Sequence, residues 1–189
     1  MKHLFLFLLL AAVSNNLYAQ YEYAPSKEHP FGKLNPEAPK ETGDYAPLIG
    51  TSNCQSESRN PDGSWNSAID MTWTFQYIMN GTGVQDLTLK TDGTHSGSIR
   101  QFNADSAAWY VHYFSSAAAT STLSAWKGEA RDGDQFILYR EQTAPNGMEG
   151  FYKILFSDIT ESSFNWLGSW VNSDESIVYP TWKISCTKQ

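Results

Sequence analysis

Histidine, cysteine and long apolar runs are all scarce in this chain, and each scarcity removes a class of function. The 189 residues hold four histidines and two cysteines. There is no Cys-x-x-Cys pair, no His-Glu-x-x-His and no histidine pair with an acid at ligand spacing, so no metal site is expected. Asp132-Gly133-Asp134 lacks the downstream glutamate of a calcium loop and reads as a turn. The Gly-x-Ser-x-Gly elbow, the phosphate loop and the dinucleotide fingerprint are missing too. No cofactor is therefore implied and no catalytic residue is assigned. After Val13 no apolar run approaches the roughly 20 residues of a spanning helix, so no integral membrane segment is expected in the mature chain.

The first nineteen residues have a different character. Lys2 and His3 form a short basic start, Leu4 to Val13 is unbroken apolar sequence, and Leu17-Tyr18-Ala19 ends on a small residue. This is a secretory signal pattern, cut after Ala19. It predicts export, to a periplasm or out of the cell. The mature chain from Gln20 would carry 12 basic and 20 acidic side chains, a net charge of −8. An acidic surface argues against nucleic acid and anionic membrane as partners.

What the chain has in quantity is turn chemistry. Asp62-Gly63, Asn80-Gly81, Asp92-Gly93, Asp132-Gly133 and Asn146-Gly147 each separate two alternating apolar and polar segments. Such dipeptides tolerate the positive φ of tight hairpins, and their regular recurrence indicates an all-β sandwich or barrel. The clearest strand is Ile69–Met79. Its odd positions run Ile69, Met71, Trp73, Phe75, Tyr77, Met79, while five of the six even positions from Asp70 to Asn80 are polar. That is the period of a half-buried strand, and it predicts the odd face inward.

Nine more strands are expected, at Ile49–Glu57, Val84–Lys90, His95–Phe102, Ala108–Ser115, Leu123–Ala130, Gln135–Glu141, Gly150–Phe156, Ser163–Val171 and Ser176–Thr187. Pro180 predicts a bulge or an edge in the last. An even number of antiparallel strands joined by short hairpins closes first against last, which removes exposed edges. The predicted fold is an all-β, up-and-down barrel of about ten strands over residues 48–189, wide enough for a cavity. Residues 20–47 hold five of the eight prolines and no sustained period, so they are expected to form a proline-rich extended arm, either disordered or lying along the barrel. Closure would also bring Cys54 and Cys186 together. In an oxidising compartment they pair; otherwise they are two buried thiols.

Several segments carry a resemblance. Arg59-Asn60-Pro61-Asp62-Gly63-Ser64-Trp65 at the end of Gly50–Trp65, Tyr77-Ile78-Met79-Asn80-Gly81, Gly97-Ser98-Ile99-Arg100-Gln101-Phe102 and Pro145-Asn146-Gly147 are similar to bacterial exported lipocalin-like domains. With a signal peptide, one barrel and a disulfide joining its ends, the chain resembles the calycin group of lipocalins and fatty-acid-binding proteins. It keeps the glycine but not the tryptophan of the lipocalin Gly-x-Trp motif, at Gly50-Thr51-Ser52. The resemblance implies a fold and little chemistry. In fatty-acid-binding barrels, lumenal arginines hold a carboxylate.

Arg100 is the matching candidate. It lies mid-strand on the face of Ser98 and Phe102, where it meets either a ligand anion or a wall acid such as Asp86 or Glu141. Arg140 and Lys153 share that ambiguity. His112 sits in Trp109-Tyr110-Val111-His112-Tyr113-Phe114, as a lumenal base or a plain wall residue. Seven tryptophans, ten tyrosines and ten phenylalanines supply rings for a pocket or for the core. The expected ligand-binding set is Arg100, His112, Trp73, Tyr77, Trp109 and Trp166. The leading function is non-enzymatic binding of a small, largely apolar or amphipathic partner, with an acidic head group as one option. The alternatives are a barrel-mouth hydrolase or isomerase using His112, and a carbohydrate or envelope module using exposed tryptophans.

Overall fold

Period-2 burial runs around the whole molecule. A computed structural model describes residues 21–189; the expected signal segment 1–19 and Gln20 lie outside the described residues. Ten antiparallel strands follow one another: β1 (Gly50–Ser58), β2 (Ile69–Ile78), β3 (Gly83–Lys90), β4 (His95–Asn103), β5 (Ala108–Ser115), β6 (Ser124–Gly128), β7 (Phe136–Glu141), β8 (Gly150–Ser157), β9 (Ser163–Asn172) and β10 (Val178–Lys188). Each pairs with its neighbour in sequence, and β1 pairs with β10, so the sheet closes into a barrel. In β2 the odd face points inward as expected, with Met71, Trp73, Phe75 and Tyr77 all buried. The five turn glycines take φ values of 57 to 88°. Pro180 lies at the predicted bulge: the β10–β9 register shifts between Pro180 and Trp182.

The closing seam is covalent. Cys54 and Cys186 stand opposite each other across β1 and β10 and are joined by a disulfide. The loop it closes is 132 residues long, for which the chain-entropy model gives an upper figure of about 5 kcal/mol. The loosest seam is at β6 and β7, where only Lys127↔Tyr139 and Gly128↔Leu138 pair.

The arm lies along the barrel rather than away from it. Tyr77 N–H donates to the Phe31 carbonyl, Asn35 N–H to that of Gly81, and Tyr23 N–H to Asn80 Oδ1. Gly81, in the β2–β3 turn, is where the arm comes nearest. A Cβ there would sit 2.4 Å from the Lys33 carbonyl, so glycine is needed for contact as well as for its φ of 82°.

The extended reading of residues 20–47 fails at its end. Lys40–Leu48 is a 3-10 helix with Thr42, Tyr45 and Leu48 buried. It delivers Tyr45 into one end of the barrel, 0% exposed. The ring stacks on Phe136 at 4.3 Å and meets Trp109 edge-on at 4.7 Å. Asp44 fixes the approach by accepting hydrogen bonds from Trp109 Nε1 at 3.3 Å and Arg131 N–H at 3.0 Å. A side chain from outside the sheet thus completes the core and closes one mouth.

Candidate functional site

Beyond the plug the barrel is not filled. A lumenal cavity of about 270 Å³ begins at Asp86, Ser98 and Arg100 and reaches Lys90 and Ser124 at the far rim. Its walls carry Trp73, Trp126, Tyr152, Trp166 and Trp182 beside Val111, Ile154 and Ile184. Small-molecule sites run from about 300 Å³ upward, so a compact ligand is the fit. The volume equals roughly nine waters at 30 Å³ each.

The floor is a buried polar network. β3 and β4 run antiparallel with Asp86 opposite Ser98, which puts Arg100 on the diagonal. Arg100 donates to Asp86 Oδ1 through Nε at 2.9 Å and Nη2 at 2.6 Å. Ser98 Oγ also donates to Oδ1, and Trp73 Nε1 donates to Oδ2 at 2.9 Å. The remaining reach of the guanidinium goes to the plug, with Nη1 donating to Tyr45 Oη at 3.1 Å. Burial works against the Arg100 charge, but the Asp86 carboxylate and Tyr45 outweigh it, and its pKa lies above the ordinary arginine value. Burial raises the Tyr45 phenol, an effect only partly offset by Arg100. Of the two acids named as partners from the sequence, Asp86 is the one used; Glu141 is exposed.

The expected set of six therefore divides. Arg100, Trp73 and Trp166 line the cavity. Trp109 and Tyr77 are buried but are not among the lining residues: Trp109 packs on the plug, and Tyr77 donates its backbone N–H to the Phe31 carbonyl of the arm. His112 is corrected outright. Val111 and Tyr113 line the cavity, and His112 between them has the opposite parity, is half-buried and is not among the lining residues, so it sits in the outer wall. The barrel-mouth enzyme loses its base. Lys153 is an outer-wall residue too, paired with Glu175 at 2.5 Å. That hydrogen bond, with a second from Tyr139, holds the Glu175 carboxyl below its ordinary value. The surface-module reading also lacks its rings, because none of the seven tryptophans is exposed.

Three contributors were missing from the expected set. Trp126 and Tyr152 line the cavity edge-on to each other, and Arg140 lies over both, its guanidinium carbon 4.5 Å from the Trp126 ring and 5.8 Å from Tyr152. The parity of β7, with Phe136 and Leu138 buried, was the available signal: Arg140 shares it. Among the described residues neither Arg140 nor Lys90 is within ion-pair distance of a carboxylate. The charged lining residues are Asp86, Lys90, Arg100 and Arg140, so the cavity is net positive by two inside an acidic protein.

No protein-family model matches the chain, and no curated protein matches it. Among solved structures it is similar to the crystal structure of Rv2717c from M. tuberculosis, with a TM-score of 0.57 and 10% identity over 81% of this chain and 99% of that one. At that identity the likeness shows the fold alone. A structure of EF1p2_mFAP2b bound to DFHBI aligns with a TM-score of 0.36 and 14% identity, over 79% of this chain and 100% of that one. A redesigned β-barrel, b11L5F_LGL, gives 0.32 and 14%, over 77% and 95%. Both scores are too low to bear on the argument.

Proposed function

We propose that the chain is an exported, lipocalin-like barrel that reversibly binds a compact, largely apolar ligand in its lumen. The observation that supports this most is a cavity plugged at one end by Tyr45 and walled by tryptophans over a polar floor. Rings give buried area, and a few placed polar groups give orientation, which is the usual division of labour in small-molecule sites. The net positive lining favours a ligand with an acidic group. No nucleophile–base pair is used in this reading; the protein holds and releases its ligand unchanged. The disulfide and the absence of any long apolar helix among the described residues are compatible with export.

Native mass spectrometry of the protein purified from its own host tests the proposal. The expected result is a retained small molecule, lost from an Ile154→Trp variant whose new ring fills the lumen. The proposal is sunk if the wild type retains nothing and saturably binds no apolar probe, charged or neutral.

A further inference from the structure

The cavity wall has two sides. Every residue that β3 and β4 give to it is polar: Asp86, Thr88, Lys90, Ser96, Ser98 and Arg100. In a closed ring of ten strands the strand five places on stands across the lumen, so β3 and β4 face β8 and β9. Arg100 spans that distance at the floor, its guanidinium carbon 5.5 Å from the Phe156 ring of β8. The facing side gives Tyr152, Ile154 and Trp166.

The hydrogens of the polar side are spent within it. Ser98 Oγ, Trp73 Nε1 and two nitrogens of Arg100 all donate to Asp86. Thr88 and Ser96 stand opposite each other in the register, and their buried hydroxyls lie 2.6 Å apart. Thr88 Oγ1 also reaches the Ser96 carbonyl at 3.2 Å. With Ser96 donating to Thr88 and Thr88 donating on to that carbonyl, both hydrogens are used. A hydroxyl oxygen has two acceptor lone pairs, so what the pair still offers is acceptance. The fold does not require this pair, because replacing both partners of a hydrogen bond by apolar groups of the same shape is nearly neutral. A lumen built for packing alone would be apolar here, as it is at Ile154 and Trp166.

We propose that the Thr88–Ser96 pair is the specificity element of the lumen, and that the ligand carries a hydroxyl which donates to it from a compact apolar frame. This rests on the binding function proposed above and assigns which side of the ligand is polar. The frame lies against Ile154 and Trp166, and the hydroxyl points across to β3 and β4. A carboxylate has no place at the pair, because it brings only lone pairs to hydroxyls whose hydrogens are spent. The acidic group favoured by the lining charge belongs with Lys90 and Arg140.

Isothermal titration with para-ethylphenol and para-ethylfluorobenzene, which share a frame and differ in the donor, tests the assignment. One net hydrogen bond corresponds to about a 3- to 10-fold preference for the phenol in the wild type. In a Thr88→Val, Ser96→Ala double variant that preference falls to within about twofold, while the fluoro compound binds as before and so reports an intact lumen. Ser124→Ala, which removes a hydroxyl at the far rim, keeps the preference. The assignment is overturned if the preference survives the double variant, or if both probes weaken together there. Equal wild-type binding of the two overturns it while leaving the lumenal function standing. Binding of neither overturns both.

Discussion

Tyr45 and Trp126 are both buried rings inside one barrel, and their polar atoms meet opposite fates. Tyr45 Oη accepts from Arg100, and the neighbouring Trp109 Nε1 finds Asp44; only Thr42 Oγ1 on the plug helix lacks a partner. On the cavity side of Arg100, among the described residues, Trp126 Nε1 is unpaired and Arg140 has no counter-charge. Apart from Thr42 Oγ1, the plugged half satisfies itself from within the chain. The open half leaves those two groups without a partner in the fold. Substitutions should therefore separate the halves: stability in one, occupancy in the other.

The sharpest break falls on the boundary. Asp86→Ala strands a buried guanidinium, and losing one member of a buried pair costs about 3–5 kcal/mol. Urea denaturation should show that loss, and an Asp86→Leu, Arg100→Met double variant should recover much of it. If the double variant is as unstable as the single one, packing rather than charge holds the floor.

Within the plugged half, Tyr45→Phe removes one charge-assisted hydrogen bond and should cost about 1.5–3 kcal/mol. It should also change the alkaline limb of stability. The folded-state pKa of Tyr45 is raised by burial, so the neutral phenol is the form the fold holds. That contribution is fully present below the unfolded tyrosine value near 10 and is lost as pH rises toward the folded value. The wild type should lose more stability than Tyr45→Phe above about pH 10. Equal losses would mean that Tyr45 is not the titrating group.

The open half should respond least in stability. Arg140→Gln loses a partly exposed cation–π contact, worth about 0.5–1 kcal/mol. Thermal denaturation should place it near the wild type in the absence of ligand. A drop comparable to that of Asp86→Ala would erase the distinction between the halves.

Strand positions were legible because two independent signals agreed, turn glycines at positive φ and alternation between them. All ten strands lie within two residues of their expected ends. The site was less legible, for particular reasons. Trp109-Tyr110-Val111-His112-Tyr113-Phe114 is apolar on both parities, so alternation alone could not place His112. Tyr77 has the inward parity, but parity does not say which end of the barrel a residue occupies. Tyr45 sits in Lys40–Leu48, whose short 3-10 turn has no strand period and a proline, Pro47, inside it. Its burial is created by the barrel it enters, which no local pattern records. Arg100 and Asp86 were each visible, and the β3–β4 register decided that they meet.

The bond between Cys54 and Cys186 makes the barrel a hoop rather than a ribbon. A protease that cuts once in any turn between those residues opens the chain but frees no fragment. The two pieces stay tied at the β1–β10 seam, and their remaining strands keep one another in register. Such a nicked molecule migrates as one species until a reductant is added, then as two. A single cut in that span thereby breaks a peptide bond without any loss of material.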